Sequence, residues 1–158
     1  MNRGSVKFIT DAAVIGALYA ALTLLLAPVS FGVIQVRISE ALCVLSMFTP
    51  AAVPGITLGC FAANMLGPNG VADALLGALA SFIGCFLMYK FRERPRIAPL
   101  FCVVSNGIII GLMLHYLYGE AIAPLLCILL VSAEEFVALY VLGTPLARVI
   151  RNSDHQIF

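Results

Sequence analysis

"ALCVLSMFTPAAVPGITLGCFAANML", residues 41–66, decides the fold. It reads either as one long apolar span or as two short ones joined at "TPAAVPG" (49–55). The charges on either side choose between them. Basic residues fall in three clusters: Arg3 and Lys7; Lys90, Arg92, Arg94 and Arg96; and Arg148 and Arg151. Cytoplasmic loops of membrane proteins carry the excess of Lys and Arg, so all three clusters belong inside. That requires an even number of spans between Lys7 and Lys90, and again between Arg96 and Arg148. Splitting 41–66 gives four and then two. Leaving it whole gives an odd count and places "KFRERPR" (90–96) outside.

The rest of the chain reads the same way. It has 158 residues, 62% of them hydrophobic and only 11% charged, with net charge +1. Mean hydropathy is +1.06. A soluble domain carries about 25% charged residues, and a spanning helix needs about 20 mostly apolar ones. An all-α integral membrane protein follows, with one membrane domain over 1–158 and no case for nucleic-acid binding. Six spans are expected at about 9–29, 38–50, 52–67, 71–89, 98–118 and 121–147, with both termini cytoplasmic. Turn chemistry marks the breaks: "APVSFG" (27–32), "LGPNGVAD" (66–73), and the polar "YKFRERPRIAP" (89–99). The second span is short: thirteen α-helical residues rise about 20 Å against a hydrocarbon core of about 30 Å. It needs shelter from its neighbours or local thinning of the bilayer. The run 12–29 exceeds the 7–15 residues of a signal-peptide core, so the first helix is expected to be retained.

One arginine breaks the charge pattern. Of nine basic residues only Arg37 falls in an outer connection, in "IQVRISEAL" (34–42), beside Gln35 and Glu40. Asn64, Asp73 and His115 map to the outer ends of spans, Asn106 and the pair Glu134–Glu135 nearer mid-membrane. A carboxylate within the membrane costs about 2.5–3.5 kcal/mol on insertion scales, which makes a functional pocket the default reading. Arg37 and Glu40 could pair one helical turn apart, leaving Asp73 and a span-6 glutamate without a basic partner. A donor-rich or cationic ligand arriving from outside would supply one.

The first span contributes little that is polar. It carries small residues at Ala13, Ala17 and Ala21, and in a second register at Ala12, Gly16 and Ala20. Small residues at every fourth position let helices approach closely, so this smooth face packs within the bundle or against another protein. The five cysteines are isolated in apolar runs without CxxC or Cys/His pairs and read as small buried residues.

The ordered set "GALYAALTLLLAPVSFGVIQVRISEAL" (16–42), "GCFAAN" (59–64), "GVADALLGALASF" (70–82) and "EEFVALYVLGTPL" (134–146) resembles the QueT family over about residues 10–147. These are membrane proteins taken to carry queuosine precursors, and they resemble the substrate-binding S components of energy-coupling factor (ECF) transporters. The resemblance implies an S-component-like bundle of six helices in a bacterial cell membrane. It also implies uptake of a 7-deazaguanine, such as queuine or its aminomethyl precursor, bound from outside by Gln35, Arg37, Glu40, Asn64, Asp73, Asn106 and Glu135. The partners it implies are an ECF membrane scaffold, docked on Ala13, Ala17 and Ala21, and two cytoplasmic ATPases that use ATP; no cofactor is expected in this chain. The chemistry suits: a guanine edge offers two donors side by side, and a carboxylate accepts both in paired charge-assisted bonds; the planar ring of such a ligand could stack on Phe31, Phe61, Tyr116 or Tyr118. Glu134 departs from the family pattern, which has a small residue there.

Other classes fare worse. "EE" in a membrane helix is reminiscent of EExxxR proteases, but Leu139 stands at the arginine position, and His115 and His155 map to opposite sides. A catalytic zinc needs about three protein ligands, so no enzyme is expected. No G-x-x-x-x-G-K occurs to bind ATP. The competing reading is a stand-alone ion-coupled transporter of a small metabolite.

Overall fold

A computed structural model describes residues 3–31, 37–119 and 122–153, with Arg3 and Tyr118 as backbone only. Gln35 therefore lies outside the described residues. The α-helices are α1 (Arg3–Leu25), α2 (Ala27–Ser30), α3 (Ala52–Leu66), α4 (Gly70–Lys90), α5 (Leu100–Tyr118), α6 (Pro124–Phe136) and α7 (Thr144–Asn152). A 3-10 helix, Ile38–Met47, precedes α3, and a π-helical segment, Val137–Gly143, joins α6 to α7. No strand occurs among the described residues.

Proline and glycine set the boundaries. Pro28 cannot continue α1, because its ring clashes with the carbonyl four residues back. Residues 41–66 form two helices: the chain turns at Phe48–Ala51, where the Ala51 amide donates to Thr49 Oγ1 at 3.3 Å. Pro54 sits in the first turn of α3, where a missing N–H costs nothing. Gly119 ends α5 in the left-handed conformation (φ 67°), its amide donating to the Leu114 carbonyl.

The exterior is apolar and much of the interior is small or polar. Leu25, Leu66, Leu125 and Val149 stand exposed, while Tyr19, Thr23, Asn64 and Asp73 are fully buried. That inverts the usual distribution in water and fits a hydrocarbon solvent. Four helical stretches are long and apolar enough to cross a membrane: Gly4–Leu25, Gly70–Lys90, Leu100–Leu117 and Pro124–Asn152. Ile38–Met47 and Ala52–Leu66 are apolar but shorter. In 3-10 geometry ten residues cover about 20 Å, whereas the same ten as an α-helix would cover about 15 Å. Eight of those ten are buried, because α1, α3, α4, α7 and the π segment surround the helix.

Packing runs α1 on α3, α3 on α4, α4 on α5 and α5 on α6. The α1–α3 crossing is backbone on backbone. A Cβ added to Gly16 would stand 2.6 Å from the Gly55 carbonyl oxygen, and one on Gly59 would stand 2.5 Å from that of Gly16. The two small-residue registers of α1 therefore differ. Gly16, in the register of Ala12 and Ala20, packs against α3, whereas Ala13, Ala17 and Ala21 remain exposed. On the far side the 3-10 helix meets the π segment closely: a Cβ on Gly143 would lie 2.6 Å from Val44 Cγ1.

Candidate functional site

Three polar groups converge in the interior. The first is built on Arg37, whose extended backbone (φ −87°, ψ 94°) caps the 3-10 helix. Its Nη2 lies 3.5 Å from Asp73 Oδ2 in the first turn of α4. Its Nε donates to the Ser30 carbonyl at 3.4 Å, and its guanidinium lies 5.6 Å from the Phe31 ring centre. Arg37 thus pairs with Asp73 rather than running along the helix to Glu40, and Asp73 does have a basic partner within the chain. A carboxylate at a helix N-terminus also gains from the helix dipole. Asn64 joins this group through its backbone side, donating from Nδ2 to the Asp73 carbonyl at 3.1 Å. Its Oδ1 is buried with no hydrogen-bond partner among the described residues.

The second group centres on Glu40. The Tyr19 hydroxyl donates to Oε1, and the Cys43 thiol donates to Oε2 at 3.1 Å. Thr23, one turn along α1 from Tyr19, donates to the Tyr19 carbonyl at 2.9 Å and accepts from Ser39 at 2.7 Å. The first helix therefore does contribute polar groups, contrary to the expectation from sequence. The available signal was the four-residue spacing of Tyr19 and Thr23, which puts an aromatic hydroxyl and an alcohol on one face.

The third group lies across from these. Asn106 Nδ2 donates to Glu135 Oε1 at 3.2 Å and to the Cys102 carbonyl at 3.3 Å. Both side chains are buried, at 5% and 6% exposure.

One cavity joins the groups. Arg37 and Glu40 form one wall, and Asn106, Glu134 and Glu135 form the other, with Ile110, Val131 and Ala138 between them. Its volume is about 30 Å³, room for two waters or so. Of the residues expected to bind ligand, the structure brings Arg37, Glu40, Asn106 and Glu135 to this cavity. Asp73 stands behind Arg37, and Asn64 behind Asp73. Glu134, set apart in the sequence, lines it as well. Three carboxyl groups facing one guanidinium favour a ligand that donates hydrogen bonds or carries positive charge.

The expected stacking residues divide. Phe31 packs near Arg37, but Phe61 is 36% and Tyr116 71% exposed, and neither lines the cavity. Tyr116 packs edge-on against His115, whose Nδ1 meets the Ile122 carbonyl at 2.9 Å. The cysteines are also less scattered than their sequence spacing: the thiols of Cys43, Cys85 and Cys102 lie within 4.8 Å of one another.

A helical bundle with an apolar exterior and a charged interior cavity is the architecture of a multi-pass membrane protein. The chain belongs to the QueT transporter family, which matches it over residues 9–152. It is 31% identical over 99 residues to the queuosine precursor transporter QueT of Lactococcus lactis subsp. cremoris (strain MG1363). That match covers 59% of this chain and 58% of the relative's length. No solved structure matches the chain.

Proposed function

We propose that the chain captures a queuosine precursor, a 7-deazaguanine such as queuine or its aminomethyl form, from outside the cell. The cavity supports this reading: one carboxylate held by Tyr19 and Cys43, and another held by Asn106, face each other beside Arg37. One carboxylate accepts the paired N–H donors of a guanine edge, and a second neutralises the amine of the 7-substituent. Arg37 donates to the ring carbonyl. Ligand pockets for small molecules enclose about 300–1,000 Å³, far above the 30 Å³ here. Entry therefore requires the α5–α6 wall to part from the 3-10 helix.

In this reading the 3-10 helix and α3 serve as the second and third of six spans, both termini are cytoplasmic, and the membrane is the bacterial cell membrane. The chain needs a partner for energy: an ECF scaffold subunit with two cytoplasmic ATPases, docked on the exposed stripe Ala13, Ala17 and Ala21. The second reading, a stand-alone ion-coupled transporter, rests on the buried carboxyl of Glu135. Uptake that persists without the ATPase subunits would favour it.

The test is calorimetry on the purified protein in detergent with queuine and its aminomethyl and cyano precursors. One-to-one binding of one of them, weakened at least tenfold by Glu135→Gln, is expected. No heat with any of the three would overturn the deazaguanine assignment.

A further inference from the structure

The transport reading uses one thiol of a buried cluster, Cys43 as a donor to Glu40, and gives the other two no role. Cys43 in the 3-10 helix, Cys85 in α4 and Cys102 in α5 are each 0% exposed, and their sulfur atoms all lie within 4.8 Å of one another. They come from three elements separated in sequence, so local spacing did not place them together. Packing did: a Cβ on Gly84 would stand 2.7 Å from Cys102 Sγ and 2.8 Å from its Cα, so only glycine there lets α5 bring that thiol to α4. Ser46, 0% exposed, lies against the Cys85 thiol.

We propose that these three thiols form a binding site for a soft monovalent metal ion, Cu(I) being the physiological class. The geometry fits. With metal–sulfur bonds of about 2.3 Å, three sulfurs around one trigonal ion stand about 4.0 Å apart, within the observed limit. Soft sulfur ligands select Cu(I) over harder ions. The sulfurs bond the metal as thiolates, and each one that binds releases its proton to bulk water. The bound ion would tie the 3-10 helix to α4 and α5 from within.

The experiment uses the full chain, purified in detergent under reducing conditions. Cu(I) is supplied from a coloured chelator complex and its transfer followed by loss of the chelator band. One Cu(I) per chain is expected, with transfer reduced at least tenfold in Cys85→Ser/Cys102→Ser and unchanged in Cys127→Ser, whose thiol lies elsewhere. Folding of each variant is checked by monodispersity and circular dichroism. If the double variant does not fold, the wild-type protein serves instead: bound Ag(I) should protect three cysteines from alkylation, read by peptide mass spectrometry, and these should be Cys43, Cys85 and Cys102. Transfer no greater than to an unrelated membrane protein would overturn the site. So would equal loss in Cys127→Ser, or a disulfide within the cluster in place of bound metal.

Discussion

Tyr19→Phe tests the interior most directly, because it removes one hydroxyl and leaves the ring that fills the space. That hydroxyl donates to Glu40 Oε1, and both residues are buried, at 0% and 3% exposure. A hydrogen bond to a charged group contributes about 1.5–3 kcal/mol, while Glu40 keeps its contact with Cys43 at 3.1 Å. The expected loss of stability is therefore about 2 kcal/mol. At about 2–4 °C per kcal/mol for a chain of this size, the melting temperature in detergent should fall by about 4–8 °C. The single variant does not by itself assign the loss to Glu40; the double-mutant cycle with Glu40→Gln does. A neutral amide partner makes a hydrogen bond of about 0.5–1.5 kcal/mol, so the cost of Tyr19→Phe should drop by about 1 kcal/mol in that background. Independent sites add within about 0.3–0.5 kcal/mol. Additivity of that quality would refute the claim that Tyr19 anchors Glu40.

Further predictions concern the other contacts. Arg37→Ala leaves the Asp73 carboxylate buried and unpaired, which costs about 3–5 kcal/mol; Arg37→Ala/Asp73→Asn should regain most of it in thermal unfolding. Gly59→Val drives a side chain into the Gly16 carbonyl and should cost about 1–3 kcal/mol as overpacking, whereas Ala17→Val, on the exposed face, should change the melting temperature little. Ala17→Trp should leave ligand binding within twofold yet impair uptake in cells carrying the partner subunits, and normal uptake would argue against the docking stripe. Asn106→Ala should weaken ligand binding at least tenfold in calorimetry by releasing Glu135, and unchanged affinity would remove that wall from the site.

Much of the helix order was legible, because proline, glycine and charge act locally. The turn at Phe48–Ala51 follows from Pro50 and Pro54, and the end of α5 from Gly119. Which polar groups meet was less legible. Arg37 and Glu40 are three residues apart, and helical spacing suggests a pair. Arg37 is instead extended, ahead of the first helical residue, so its side chain reaches Asp73. Glu40 is then met by Tyr19, twenty-one residues earlier. The cysteine cluster needs three helices at particular crossing distances, and those depend on glycines such as Gly84 that look incidental in a one-dimensional reading. Periodicity tells which face of a helix is special. It does not tell which neighbour covers it, as the two registers of α1 illustrate.

The glycine crossing of α1 and α3 has a mechanical consequence. Two backbones in van der Waals contact leave no side chains between them to change rotamer, so the pair moves as one rigid frame. Tyr19 fastens Glu40 to that frame. The opposite jaw, α6, carries Glu134 and Glu135 in its last turn, directly before a π-helical stretch, Val137–Gly143, whose regular hydrogen-bond ladder is interrupted. Departures of this kind cluster at functional sites. Opening should then be a motion of the jaw against a still frame, with amide exchange faster across 131–143 than across 12–23 and slowed there once the solute is held.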